Sequence, residues 1–230
     1  MDFIGLEKLS LVDYDDKVAT TLFCGGCNFA CPFCHNSLLV NDFKNCETYP
    51  FDEILTYLRK RKGIIDAVVI SGGEPTLMPD LIEKIKQIKE LGFLVKLDTN
   101  GTNPEIIKIL VENKLIDYVA MDIKNSEEKY PLTVGKTHID FQKIKESISY
   151  LKQNHVEYEF RTTLIKEFHD YSDMNGILSL IKGAKKYRLQ KFIDRDTCIK
   201  KGLHPVSLDE ANKYLDIFKN DILDVKLRGY

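Results

Sequence analysis

The chain has 230 residues, 43% of them hydrophobic and 30% charged, with a net charge of −2. That length suits one domain over residues 1–230 with a substantial core, and that composition excludes a disordered or low-complexity protein. The near-neutral balance gives no general field for nucleic acid or an anionic membrane, and apolar runs such as 67–70 and 93–95 are far too short to span one. Asp2 and Glu7 stand where a secretory signal would be basic and then apolar, so the expected location is the cytoplasm. In that reducing compartment clustered cysteines serve as metal ligands rather than disulfides.

The first strand is expected over Val18–Phe23, and a dense thiol run follows it. Cys27, Cys31 and Cys34 stand at C-x3-C-x2-C within one short loop, a spacing that suits an iron–sulfur cluster and leaves one iron without a protein ligand. Cys24 extends the run to C-x2-C-x3-C-x2-C and permits a second reading, a four-thiolate zinc site. A zinc ribbon separates its two pairs by a longer stretch, whereas all four thiols here fall within eleven residues. Gly25 and Gly26 give the loop backbone freedom. Cys46 and Cys198 stand alone and read as ordinary thiols.

Further strands are expected at Ala67–Ile70, Leu94–Asp98, Tyr118–Asp122, Glu157–Thr163 and Lys191–Ile193, alternating with segments of helical period. Leu81, Ile82, Ile85, Ile88 and Leu91 form one apolar stripe. Phe141, Ile144, Ile148 and Leu151 form a second, and Leu208, Ala211, Leu215 and Phe218 a third. Asn103-Pro104-Glu105 reads as a cap with a first-turn proline, and Ser207-x-x-Glu210 as a capping box. About six βα units in series, too few for a closed eight-stranded barrel, point to an α/β partial barrel whose site lies at the carboxyl ends of the strands.

Motifs stand at those ends. Ser71-Gly72-Gly73-Glu74-Pro75 follows the second strand, with glycines that admit a close ligand and an acceptor beside them. Asp98-Thr99-Asn100-Gly101 and Asp122-Ile123-Lys124 bring two carboxylates and a lysine to one rim, and the two acids repel unless a cation sits between them. For Asn100-Gly101 a plain tight turn, and for Lys124 a structural ion pair, remain open. His35 beside the last clustered cysteine reads as a supporting hydrogen-bonding residue; His138, His155, His169 and His204 show no ligand spacing. Residues 182–201 are basic and could face an acidic donor, although a solvated helix face and loop accounts for them too.

These motifs, with Leu9–Tyr14, Thr21–Phe23 and the terminal Val225–Gly229, resemble the radical S-adenosylmethionine (SAM) enzymes, and among them the small activating enzymes of glycyl-radical proteins. The similarity covers nearly the whole chain and is closest to activators of anaerobic ribonucleoside-triphosphate reductase. It implies an incomplete (β/α)6 barrel and a [4Fe-4S] cluster on Cys27, Cys31 and Cys34. It also implies SAM contacts from Phe33, Gly72, Gly73, Glu74, Asp98, Thr99, Asn100, Asp122, Lys124 and Arg161. Phe33 matches the position that packs on adenine, and the Gly-Gly-Glu-Pro segment the one that binds the methionine amine. Related activating enzymes hold a monovalent cation on residues matching Asp98, Thr99 and Asp122.

The implied reaction is reductive cleavage of SAM and hydrogen abstraction from a glycine of the reductase, with reduced flavodoxin or ferredoxin as donor. The alternative is a radical SAM enzyme acting on a small molecule such as a deazapurine precursor. A non-enzymatic zinc domain is the third class. Cys24, where relatives commonly lack a thiol, is expected not to be a ligand, because a fourth thiolate would block SAM. No segment reads as a lid able to enclose a small substrate.

Overall fold

Side chains alternate across each strand, so one face lies under a helix layer and the other toward a central cavity. The computed structural model describes residues 2–230. One eight-stranded sheet runs in sequence order: β1 (Gly5–Ser10), β2 (Ala19–Cys24), β3 (Ala67–Gly72), β4 (Leu94–Thr99), β5 (Tyr118–Asp122), β6 (Glu157–Leu164), β7 (Lys186–Lys191) and β8 (Asp224–Arg228). β1 pairs antiparallel with β2, and every later pairing is parallel. β1 and β8 do not pair, so the barrel stays open on one side.

The helices are α1 (Ser37–Asn41), α2 (Phe51–Lys60), α3 (Leu81–Glu90), α4 (Pro104–Glu112), α5 (Tyr130–Thr133), α6 (Phe141–Leu151), α7 (Tyr171–Ile181) and α8 (Leu208–Phe218). The first two expected stripes supply the buried faces of α3 and α6, whereas the buried face of α8 is Ala211, Tyr214 and Phe218, with Leu208 52% exposed. In α3, Leu81, Ile85 and Ile88 are buried against the sheet, each worth roughly 1.5–3 kcal/mol over exposure. The outward residues Leu22, Val68, Ile70, Val95, Leu97 and Val119 complete that core.

Five expectations are corrected. The seventh strand is Lys186–Lys191, not Lys191–Ile193. Its sequence KYRLQK hides a strand because Arg188 is buried inward, paired with Asp224 at 2.6 Å and Glu159 at 3.7 Å. This also changes the reading of the basic segment: Lys182, Lys185, Lys186 and Lys201 are all ion-paired with nearby acids. Seven parallel strands replace the six units expected, since the short β8 was not anticipated, and neither was the antiparallel β1. Asn103 makes no side-chain cap; its Nδ2 donates to the Thr76 carbonyl and Oγ1, tying the two loops. Ser207 does accept from the Glu210 amide, but the reciprocal box forms at Asp170 and Asp173.

The cavity floor is closed by the β1–β2 hairpin. Tyr14 packs on Tyr118 with ring centroids 5.4 Å apart, beside a small cluster of Ala19, Ala67 and Val69. Lys96 lies near both tyrosine rings and donates to the Asp13 carbonyl. Arg228 at the end of β8 reaches Asp15 of the hairpin at 3.1 Å and buried Glu159 at 3.1 Å. These bonds join the two unpaired ends of the sheet below the cavity.

Candidate active site at the carboxyl ends of the strands

The cysteine loop leaves β2 and is held from both sides by backbone. The amide of Gly73 donates to the Cys24 carbonyl, that of Glu74 to the Gly26 carbonyl, and that of Ala30 to the Val134 carbonyl. The amide of Lys200 donates to the Pro32 carbonyl at 2.7 Å. So close an approach demands glycine. A Cβ on Gly73 would lie 2.0 Å from the Gly26 oxygen, and Gly72 has φ +110° with its missing Cβ 2.5 Å from the Cys24 amide nitrogen. Gly73→Ala is expected to cost about 1–3 kcal/mol by overpacking. It should also displace the thiol loop, so that both the melting temperature and iron incorporation fall; unchanged iron content would sink that account.

Cys27, Cys31 and Cys34 line one pocket of about 210 Å³ with Phe33, Gly72, Gly73, Glu74, Asp98, Thr99, Asn100, Asp122, Lys124 and Arg161. Every expected site residue is therefore brought to one cavity. Cys24 is not. It shares the outward face of β2 with Leu22, fully buried under the helix layer, and burial pushes its thiol far up. That placement removes the fourth ligand a zinc site needs.

Burial pushes the Cys27 thiol up to about 11 and Cys31 to about 12, while the Lys124 ammonium pulls against burial at all three pocket thiols. Such thiols become thiolates when a metal supplies the compensating charge. Among the described residues no three His, Cys, Asp or Glu side chains converge as on a single ion. Thiolates that each hold a different iron need not converge that way.

Glu74 lines the cavity and accepts four hydrogen bonds from the protein itself. Its Oε1 accepts from the Thr76 amide at 3.1 Å, Thr76 Oγ1 at 2.6 Å and Thr99 Oγ1 at 2.7 Å, and its Oε2 from the Asn100 amide at 2.7 Å. Burial raises its carboxyl, against those four donors. It braces the loop after β3 to the loop after β4. Asn100, rather than forming a bare turn, donates to Asn28 at 2.8 Å and accepts from Thr102.

Between Asp98 and Asp122, where a monovalent cation is expected, stands the Arg161 guanidinium. Asp122 and Arg161 are register partners on β5 and β6. Arg161 Nε lies 2.8 Å from Asp122 Oδ1 and its Nη1 3.2 Å from Asp98 Oδ2. The guanidinium thus sits where the repulsion of the two acids called for positive charge. Lys124 Nζ pairs with Asp122 Oδ2 at 2.8 Å and lies 5.9 Å from the Phe33 ring. Lys96 approaches Asp98 Oδ1 to 3.4 Å. The result is an alternating row Lys96, Asp98, Arg161, Asp122, Lys124 along the inner wall. Asp98 Oδ1 has no hydrogen-bond partner though buried, which suits an acceptor aimed at a ligand.

Sequence reasoning missed His169. Its Nε2 lies 2.9 Å from the Lys124 carbonyl and its Nδ1 3.1 Å from the Ile165 amide. Burial holds it below the usual histidine range, so it is neutral at neutral pH. A lone histidine in a loop carries no spacing that announces such a role. His35 is a hydrogen-bonding residue as expected: its Nε2 is 2.7 Å from the Ile193 carbonyl and its ring stacks on Phe192. With the Lys200 contact, this pins residues 192–206 across the rim as a strap that sequence reading did not anticipate.

Comparison with known proteins agrees with this geometry. The radical SAM superfamily matches residues 21–180. The chain is 41% identical over 197 residues to a Methanocaldococcus jannaschii protein provisionally named a glycyl-radical enzyme activating enzyme, covering 84% of this chain and 80% of that one. It is 28% identical over 194 residues to the pyruvate formate-lyase-activating enzyme of Clostridium pasteurianum, covering 80% and 79%. In fold it is similar to Streptococcus suis SuiB bound to SAM, with a TM-score of 0.69 at 16% identity, covering 91% of this chain and 52% of SuiB. Among the described residues no helix is long and apolar enough to cross a membrane. The family uses a [4Fe-4S] cluster and SAM, and three thiols beside a polar pocket fit that pair. The chain belongs to the radical SAM superfamily.

Proposed function

We propose that this protein generates a glycyl radical on a partner polypeptide, the anaerobic ribonucleoside-triphosphate reductase, with reduced flavodoxin or ferredoxin as electron donor. The observation that carries the reading is the 41% identity to a protein named for glycyl-radical activation, extending over 84% of the chain. When bound, the cluster supplies the electron that splits SAM into methionine and a 5′-deoxyadenosyl radical.

In this reading Cys27, Cys31 and Cys34 hold three irons, and the glycine backbone at Gly72 and Gly73 leaves room for the methionine end of SAM. Lys124 and Arg161 face the SAM carboxylate, and Asp98 offers its unsatisfied oxygen to a donor. Thr99, Asn100 and Glu74 act as positioning residues, because their hydrogen bonds hold the loops after β3 and β4 together. Phe33, packed on Phe168 with centroids 6.0 Å apart, supplies a flat apolar wall for adenine. The protein contributes position and exclusion of water. The gap between β1 and β8 leaves room for a polypeptide to approach.

Anaerobic mixing of the reduced holoprotein, SAM and the reductase is expected to yield a glycyl doublet in electron paramagnetic resonance, with 5′-deoxyadenosine formed in step. Deoxyadenosine appearing only with a small purine precursor, and no radical on the reductase, would sink this proposal in favour of a small-molecule substrate.

A further inference from the structure

Beside the main cavity lies a second one of about 240 Å³ whose surface is almost wholly apolar. Its walls are Gly5 of β1, Phe23 of β2, Leu38 and Leu39 of α1, and Thr197 of the strap. His35 and Asn36 line both cavities, so the two are adjacent. Gly5 is what allows this floor: a Cβ there would lie 3.0 Å from the Phe23 ring, which rests on the β1 backbone. The strap is fixed above it through the His35–Ile193 and Lys200–Pro32 bonds. Leu38 is 60% exposed on this rim.

We propose that this side pocket receives an uncharged apolar side chain, of leucine size, that flanks the target glycine in the partner polypeptide. Three observations select that occupant. No lysine, arginine, aspartate or glutamate lines the pocket, whose surface is almost wholly apolar, so it favours an uncharged group. Its volume of about 240 Å³ is ample for one leucine-sized side chain. It adjoins the main cavity, sharing His35 and Asn36 with it at the β1 edge of the open side, so a chain lying across that edge meets both. The inference rests on the reading of the main cavity as acting on a polypeptide glycine.

The test uses fluorescein-labelled hexapeptides with a central glycine, differing only in whether the flanking residue is Leu, Ala or Asp. Binding to the SAM-loaded holoprotein is read by anaerobic fluorescence anisotropy. The Leu peptide is expected to bind about tenfold tighter than the Ala peptide, since an isobutyl group leaves water. That preference should fall below about twofold in Leu38→Asp, and again in Thr197→Phe, which fills the pocket without adding charge.

A flat series in the unaltered protein, no binding of any peptide, or a preference that survives both variants overturns the proposal. So does a loss of SAM affinity in Thr197→Phe with the peptide preference intact, because the pocket then belongs to SAM. A reductase that gains its glycyl radical while the peptide series is flat removes this pocket alone; absence of that radical removes the reading beneath it.

Discussion

Alanine at any one of Cys27, Cys31 or Cys34 is expected to abolish the cluster, seen as loss of the brown iron–sulfur absorbance and of bound iron after anaerobic purification. Cys24→Ala is expected to keep both. The contrast follows from geometry: three thiols line the cavity, and the fourth is fully buried beside Leu22 on the opposite face of the strand. To reach the cavity Cys24 would have to leave the core, exposing β2 where it pairs with Gly72. Its replacement should therefore cost only the small packing loss of a buried thiol, on the order of 1 kcal/mol. Loss of iron in the Cys24 variant would overturn the assignment of three ligands.

Arg161→Gln is expected to destabilise the protein by about 3–5 kcal/mol at neutral pH, the cost of removing one partner from a buried charge cluster. Burial alone would raise both carboxyls. Arg161 and then Lys96 hold Asp98 below its usual range, and Arg161 with Lys124 holds Asp122 at about 2. A depressed carboxyl binds its proton more weakly folded than unfolded, so it stabilises the fold above the unfolded value of about 4. That contribution is lost as pH falls from about 4 through about 2. Thermal melts of the two proteins should therefore differ most near neutrality and converge across that window. A gap that stays constant down to about pH 2 would mean that Arg161 does not set these carboxyls. Because the guanidinium already neutralises the pair, SAM affinity should be the same in sodium, potassium or choline salts; a marked dependence on sodium or potassium would restore the cation site.

Much of the site was legible because its residues stand in short local motifs at strand ends. A parallel strand buried on both sides reads as an aliphatic run, and the loop after it carries the chemistry. Cys27, Cys31, Cys34, Gly72, Gly73, Asp98, Asp122 and Lys124 all fall there. β7 was misplaced for the opposite reason. Its inward face carries Arg188, whose pairing with Asp224 and Glu159 joins three strands far apart in sequence, so period-two counting saw a charged loop. β1 escaped notice because it is an edge strand with much of its length exposed, leaving little hydrophobic signal.

The amino-acid sequence by itself determined the kind of cavity: three thiols in one loop, glycines where backbones meet, and acids at neighbouring strand ends. Those properties depend on spacing within a few residues, which the chain carries wherever it folds. Tertiary structure alone decided which partners those groups took. Glu74 became a brace because Thr76, Thr99 and the Asn100 amide converge on it, and Arg161 lies between the two acids because β5 and β6 place it level with Asp122. Cys24 withdrew from the thiol set because strand alternation turns it outward, and His169 gained its place under Lys124 from a loop 45 residues away. Each of these outcomes depends on which distant segments share a face of the sheet, a quantity that local pattern does not contain.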